Sequence, residues 1–192
     1  MSSLISQATE PVADVVRGIA PDQLPLPTPC TDFDVRKLVN HLLYWGPSLE
    51  GAARKVLVPP SDIPEFETEV PTNWQPELLA YLAKLTESWS DPAAWEGTTH
   101  MGGPTEMPAG MVGGMVIGEV LVHGWDLAVA TGQKALWDEE VLTYVHKELV
   151  ANVHLGRDMG MYAPEVPVPA AAPLVDRILG LAGRDPASPS YH

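Results

Sequence analysis

Gly118-Glu119-Val120-Leu121-Val122-His123-Gly124-Trp125-Asp126 lies inside the most apolar run of the chain, residues 107–130, and supplies nearly all of that run's polarity. On a helix, Glu119 and His123 share one face, about 6 Å apart along the axis, and Asp126, seven after Glu119, falls on the same stripe. An ionised carboxylate buried among Val, Leu and Met without a partner costs several kcal/mol. Two explanations stand side by side. One is mutual satisfaction, a His–Glu hydrogen bond inside a helical bundle. The other is a metal ion, because a carboxylate and an imidazole at i, i+4 present two ligands to one ion. A third residue far upstream, His41, bears on the choice.

At 192 residues the chain is long enough to bury a real core, and it reads as a single domain, 1–192, with a loose tail from about 183. A formal net charge of −14, with 11 Lys and Arg that never cluster, argues against nucleic acid or an anionic membrane as partner. The one cysteine, Cys30, excludes an internal disulfide framework and fits a reducing compartment. The first residues show no basic stretch followed by an apolar one, so a cytoplasmic address is expected. Gly110, Gly114 and Gly118 form a small-residue ladder of the kind found in packed membrane helices. The unbroken apolar stretch before Glu119 is only 12 residues, however, against about 20 for a span. The glycines read instead as places of close approach by a helix or a ligand.

Periodicity predicts helices near 3–19, 32–52, 76–90, 108–131 and 138–155, and a short one over 174–181. Pro11 implies a kink in the first, or a start near Thr9-Glu10. Thr31 is the expected N-cap of the second, with Asp34 three residues on. His41 flanks that helix's apolar face beside Leu38 and Trp45 and can point inward. Taken alone, such a His is more often bonded to a carbonyl than to a metal, and Cys30 reads as a small buried hydrophobe. Residues 59–71, rich in Pro and Glu, read as a solvated loop able to shape the mouth of a site. Residues 97–108 suit a small hairpin.

Thr28-Pro29-Cys30-Thr31, Val35-Arg36, Leu38-Val39-Asn40-His41-Leu42, the Glu119–Ala128 phrase with Thr131-Gly132, and Asp176-Arg177-Ile178-Leu179 with Gly183-Arg184-Asp185-Pro186 carry a resemblance. Together they resemble the actinobacterial branch of the DinB/YfiT-like superfamily, and within it the N-terminal domain of mycothiol-dependent maleylpyruvate isomerases. The resemblance implies an all-α, up-down-down-up four-helix bundle, here with an additional packed helix and a short irregular or hairpin insert. It implies one divalent metal held by His41, Glu119 and His123, with zinc first and nickel, cobalt or iron as substitutes. It also implies a low-molecular-weight thiol such as mycothiol, attacking a small electrophile. Those isomerases carry a C-terminal domain for which this chain leaves no room, so the substrate transfers poorly and maleylpyruvate turnover is not expected.

Three functions compete: a metal-dependent thiol transferase or isomerase, a metal-dependent hydrolase, and a non-catalytic metal-binding bundle. Asp126 is the in-helix candidate for a hydrolytic base, though a hydrogen bond to a ligand suits it better. Trp45, Met111, Met115 and Trp125 are the expected apolar lining of a ligand pocket. A homodimer stays open.

Overall fold

Ser3 opens the first helix, its side chain accepting from Ser6 N at 3.3 Å, in a computed structural model that describes residues 3–187. The end of the expected tail, residues 188–192, lies outside the described residues. Helix α1 (Leu4–Gly18) runs unbroken through Pro11, so the proline neither starts nor ends it. Helix α2 (Val35–Ala53) is capped by Asp34, whose carboxylate accepts from Lys37 N at 2.7 Å. Thr31 is therefore not the cap: it sits in the turn before it. Helix α3 (Trp74–Trp89), helix α4 (Ala109–Ala130), helix α5 (Glu139–Asp158) and helix α6 (Leu174–Leu181) complete the helical set among the described residues. Strands β1 (Thr98–His100) and β2 (Glu106–Pro108) form the expected hairpin, antiparallel with Thr99 opposite Met107.

The chain divides into two compact units, residues 1–135 and 136–192. In the first, α1 and α2 each pack on both α3 and α4. Directions follow from paired residues. Thr9 meets Thr86 and Gln75 meets Val16, so α1 and α3 are antiparallel. Gly124 lies against Val12 and Gln133 bonds Val15, so α1 and α4 are parallel. Gly46 lies against Tyr81 and Leu49 O accepts from Trp89, so α2 and α3 are parallel. The order is up-down-down-up, a DinB-like four-helix bundle.

Helix α4 is the central element. It is long and apolar enough to cross a membrane, yet 83% of its most apolar window is buried inside the protein. Its tight approaches are at Gly113, under Trp95 and Trp89, and at Gly124, under Val12. Gly110 of the expected ladder has ordinary room. In the second unit, Val141, Val145, Leu149 and Val153 of α5 bury an apolar stripe, and α6 contributes Ile178 and Leu179. Gly180 O accepts from Val166 N at 3.0 Å, and a side chain at Gly180 would strike Val166 O.

Candidate metal centre

Helices α2 and α4 are antiparallel neighbours, and where they face each other the apolar core is interrupted. His41 reaches across from α2, its Nε2 donating to Glu119 Oε1 at 2.8 Å. His123, one turn after Glu119, brings its own Nε2 to within 3.3 Å of the same oxygen. The donor atoms of His41, Glu119 and His123 all lie within 4.8 Å of one another. Each imidazole is held from behind by a second carboxylate. His41 Nδ1 donates to Glu65 Oε1 at 2.9 Å, and His123 Nδ1 donates to Asp126 Oδ2 at 3.0 Å.

Local sequence explains each placement. Asn40 donates to Glu65 O and to Thr68 Oγ1, pinning a single 3-10 turn, Glu65–Glu67, over α2. Trp45 Nε1 donates to Glu65 Oε2 at 2.9 Å, so both carboxylate oxygens of Glu65 are engaged. Thr28 Oγ1 donates to Cys30 O and Phe33 O, and a bridge between Pro27 and Asp34 closes the loop before α2. That loop lays Phe33 against the site, its ring 5.1 Å from His41 and 6.4 Å from His123. It also brings Cys30 into a second group with His123 and Asp126, donor atoms within 4.8 Å, a proximity the sequence reading did not give.

Glu65 and Phe33 went unassigned in the sequence. Glu65 was one acid among several in a Pro-rich loop, and no spacing rule ties position 65 to position 41. The Asn-His dipeptide was the available signal, since an Asn beside an inward His can anchor a crossing loop. Of the expected pocket lining, Trp45 and Met115 stand one turn from His41 and Glu119 on the facing stripes, and Met115 is buried. Trp125 is half-buried. It lies about 120° around α4 from Glu119, because six residues at 100° each carry it off the stripe.

The electrostatics follow from two imidazoles among three carboxylates. Burial alone would lower the His41 pKa; the hydrogen bonds and charges of Glu119 and Glu65 overrule it and push it up to about 10. His123 behaves alike: burial works against its charge, and Glu119 and Asp126 raise it. Burial would raise Glu119, but His123 and His41 hold it well below the usual carboxylate range. Glu65 is lowered for the same reason, chiefly by His41 against its burial.

This donor set fits a divalent cation. Tetrahedral zinc with bonds near 2.0–2.1 Å spaces its ligands about 3.3 Å apart. The two Nε2–Oε1 distances, 2.8 and 3.3 Å, are at or just inside that spacing. Charge agrees too. Two imidazolium protons and one dication contribute the same two positive charges against three carboxylates, so exchanging protons for an ion leaves the cluster's net charge unchanged. The Nδ1 partners leave both Nε2 atoms aimed inward, as metal-ligating histidines require.

A family model described as the mycothiol maleylpyruvate isomerase N-terminal domain matches residues 5–128. Two proteins described as uncharacterized, from the CDC 1551 / Oshkosh and H37Rv strains of Mycobacterium tuberculosis, are each 28% identical to this chain over 183 residues, 93% of it and 94% of each relative. The fold is similar to the crystal structure of a mutant of mycothiol-dependent maleylpyruvate isomerase, with a TM-score of 0.66 at 16% identity, over 94% of this chain and 87% of that one. The chain belongs to the mycothiol maleylpyruvate isomerase N-terminal domain family.

Proposed function

We propose that this protein is a metal-dependent enzyme of low-molecular-weight thiol chemistry, a transferase or isomerase acting on a small electrophile. His41 Nε2, Glu119 and His123 Nε2 would hold one divalent ion, zinc first, with nickel, cobalt or iron as substitutes. The observation that supports this best is the shared carboxylate: two imidazoles from two helices converge on Glu119 Oε1, each fixed from behind by its own acid. Mutual satisfaction alone needs one imidazole per carboxylate. Three protein ligands leave a zinc position open, the pattern of catalytic sites. Bound there, the ion would keep a thiol sulfur as thiolate at neutral pH and polarise a neighbouring carbonyl.

The chain's own residues position and enclose. Glu65 and Asp126 accept the Nδ1 protons, fixing both ring orientations, and Trp45 fixes Glu65 in turn. Phe33 packs beside the two imidazoles, its ring 5.1 Å from His41 and 6.4 Å from His123. Trp45 and Met115 offer apolar surface to the carbon frame of a ligand. A hydrolase would need a free carboxylate beside the open position. Asp126 has no exposed surface and is engaged with His123, which disfavours it as that base.

The basic residues nearest in sequence to His41, Arg36 and Lys37, are exposed on α2, while the cluster is rich in carboxylates. An uncharged electrophile is therefore favoured over an anionic one such as maleylpyruvate. The test is thiol consumption by the zinc-loaded full chain with mycothiol, against a panel of small electrophiles including maleylpyruvate, with His123→Ala as control. We expect consumption with at least one uncharged electrophile, lost in the variant, and slower turnover of maleylpyruvate. No thiol consumption across the panel would return the protein to the non-catalytic reading.

A further inference from the structure

Beside the first ligand group stands a second one. Cys30 Sγ, a ring nitrogen of His123 and a carboxylate oxygen of Asp126 lie within 4.8 Å of one another, while His41 and Glu119 belong to the other group. The two groups share His123, whose two nitrogens face different partners. Nε2 stands 3.3 Å from Glu119 Oε1, and Nδ1 stands 3.0 Å from Asp126 Oδ2. Cys30 therefore gathers with the Nδ1 side of the ring and is not a fourth donor to an ion held by His41 and Glu119.

The backbone fixes where the thiol starts from. Cys30 O accepts from Thr28 Oγ1 at 3.0 Å and from Phe33 N at 2.9 Å, and the Pro27–Asp34 bridge closes the loop. Its two partners come from α4, His123 at 6% exposure and Asp126 at 0%. Cys30 itself is half-buried and gives the group its access to solvent. The spacing suits a small ion. Around tetrahedral zinc an N–O pair spans about 3.3 Å, and a pair that includes sulfur about 3.6 Å. Nδ1 and Oδ2 stand just inside the first value. The sulfur needs to close by about 1 Å at most, which one side-chain rotation supplies. Charge balances as well. With the first ion in place, a second dication displaces the Cys30 thiol proton and the His123 Nδ1 proton to solvent, and the local net charge is unchanged.

We propose that Cys30, His123 Nδ1 and Asp126 form a second metal site, for a thiophilic divalent cation such as zinc, joined to the first through the His123 ring. A thiolate and an imidazole nitrogen select such ions over magnesium and calcium, which take oxygen donors. Filled, the site ties the loop that carries Phe33 to α4. It shares His123 with the proposed thiol chemistry and does not depend on that chemistry occurring.

Cobalt(II) reports the site, because a cysteine ligand gives an intense near-ultraviolet thiolate-to-cobalt charge-transfer band that nitrogen and oxygen donors lack. The metal-free, reduced full chain is titrated with cobalt chloride, and bound cobalt is counted by elemental analysis. Wild type should bind two ions and show the band. Cys30→Ser should lose the band and one ion. His41→Ala should lose the other ion and keep the band, and Glu119→Gln, which preserves shape, should do the same. If those two variants keep both the band and the wild-type count, the first site's assignment fails and this one stands. No band in wild type at saturating cobalt would overturn the proposal. A band that vanishes in His41→Ala and Glu119→Gln as well as in Cys30→Ser would make the thiol a ligand of the first ion, and would overturn it too. Zinc gives an independent readout. Excess zinc should protect Cys30 from iodoacetamide in wild type and in Glu119→Gln, whereas alkylation at the metal-free rate in both would overturn the proposal.

Discussion

Helix α4 meets α1 and α2 with opposite chemistry on its two sides. Toward α1 the contact is dry and close: Gly124 lies so near Val12 that a Cβ would stand 2.3 Å from a Val12 methyl. Val12, Val15 and Val16 of α1 are at most 2% exposed. Toward α2 the same helix presents Glu119, His123 and Asp126 to His41 and, behind it, Glu65. Apolar burial on the first side stabilises the fold at roughly 25 cal/mol per Å². The second side gathers ionisable groups whose desolvation opposes folding. Stability and chemistry are thus divided between two faces of one helix, and substitutions should be able to disturb either without the other.

The largest effect should come from the ligands themselves. His41→Ala, Glu119→Ala and His123→Ala should each empty the metal site while the purified proteins keep their helical content. Elemental analysis of all three reads this directly, and undiminished metal in every variant would sink the assignment. Thermal unfolding gives a second readout. A ligand at a thousand times its Kd adds about 4 kcal/mol to the folded state, an increment these variants should not gain from zinc. Next in size are the orienting acids. Glu65→Gln and Asp126→Asn preserve shape but weaken the hold on the Nδ1 protons, and zinc affinity should fall about 10- to 100-fold. Competition with a chelator measures it; wild-type affinity in both would mean the acids only fill space.

The α1 side should answer differently. Val12→Ala should cost about 2 kcal/mol in denaturant unfolding through lost burial and a cavity. Gly124→Ala should cost about 1–3 kcal/mol through overpacking, less up to about 1 kcal/mol returned by helix propensity. The double variant should lose less than the two together, because the new methyl enters the space Val12 vacates. Metal content should stay at the wild-type level throughout. Strict additivity would deny the contact, and loss of metal would deny the separation of the two faces.

The two sides also differ in how far the sequence reveals them. The α4 half of the site is legible because i, i+4 spacing on an apolar helix fixes which residues share a face, and Asp126 falls on that stripe. His41 is legible only as inward-facing; its pairing across the bundle came from the resemblance, since nothing local links positions 41 and 119. Glu65, Phe33 and Cys30 reach the site from irregular segments, where the direction of a side chain depends on turns that no periodicity encodes. Trp125 stands about 120° from Glu119 by helix geometry, so periodicity alone does not place it at the site. Helix ends moved by a few residues for similarly local reasons. Thr31 and Asp34 are both good caps, and what favours Asp34 is the bridge to Pro27, a contact outside the helix.

The smallest effect, a drift of Tm with pH, tests whether protons and metal occupy the same place. In the metal-free protein, His41 has a folded pKa near 10 against an ordinary 6.5. Its contribution to stability is then complete below pH 6.5 and drains away as pH rises toward 10. The raised His123 acts in the same direction. Glu119 and Glu65 are lowered, so their contribution is present above the ordinary 4.5 and lost as pH falls through their depressed values. The metal-free chain should therefore be most stable between these limits and lose Tm steadily from pH 7 to 9. Zinc needs both Nε2 atoms deprotonated, so its binding releases protons and grows stronger as pH rises. The loaded protein should hold its Tm across the same range, and the gap between the two forms should widen. Parallel decline in the chelator-treated and zinc-loaded proteins would mean that the ion sits elsewhere. A widening gap that disappears in His41→Ala would tie it to this cluster.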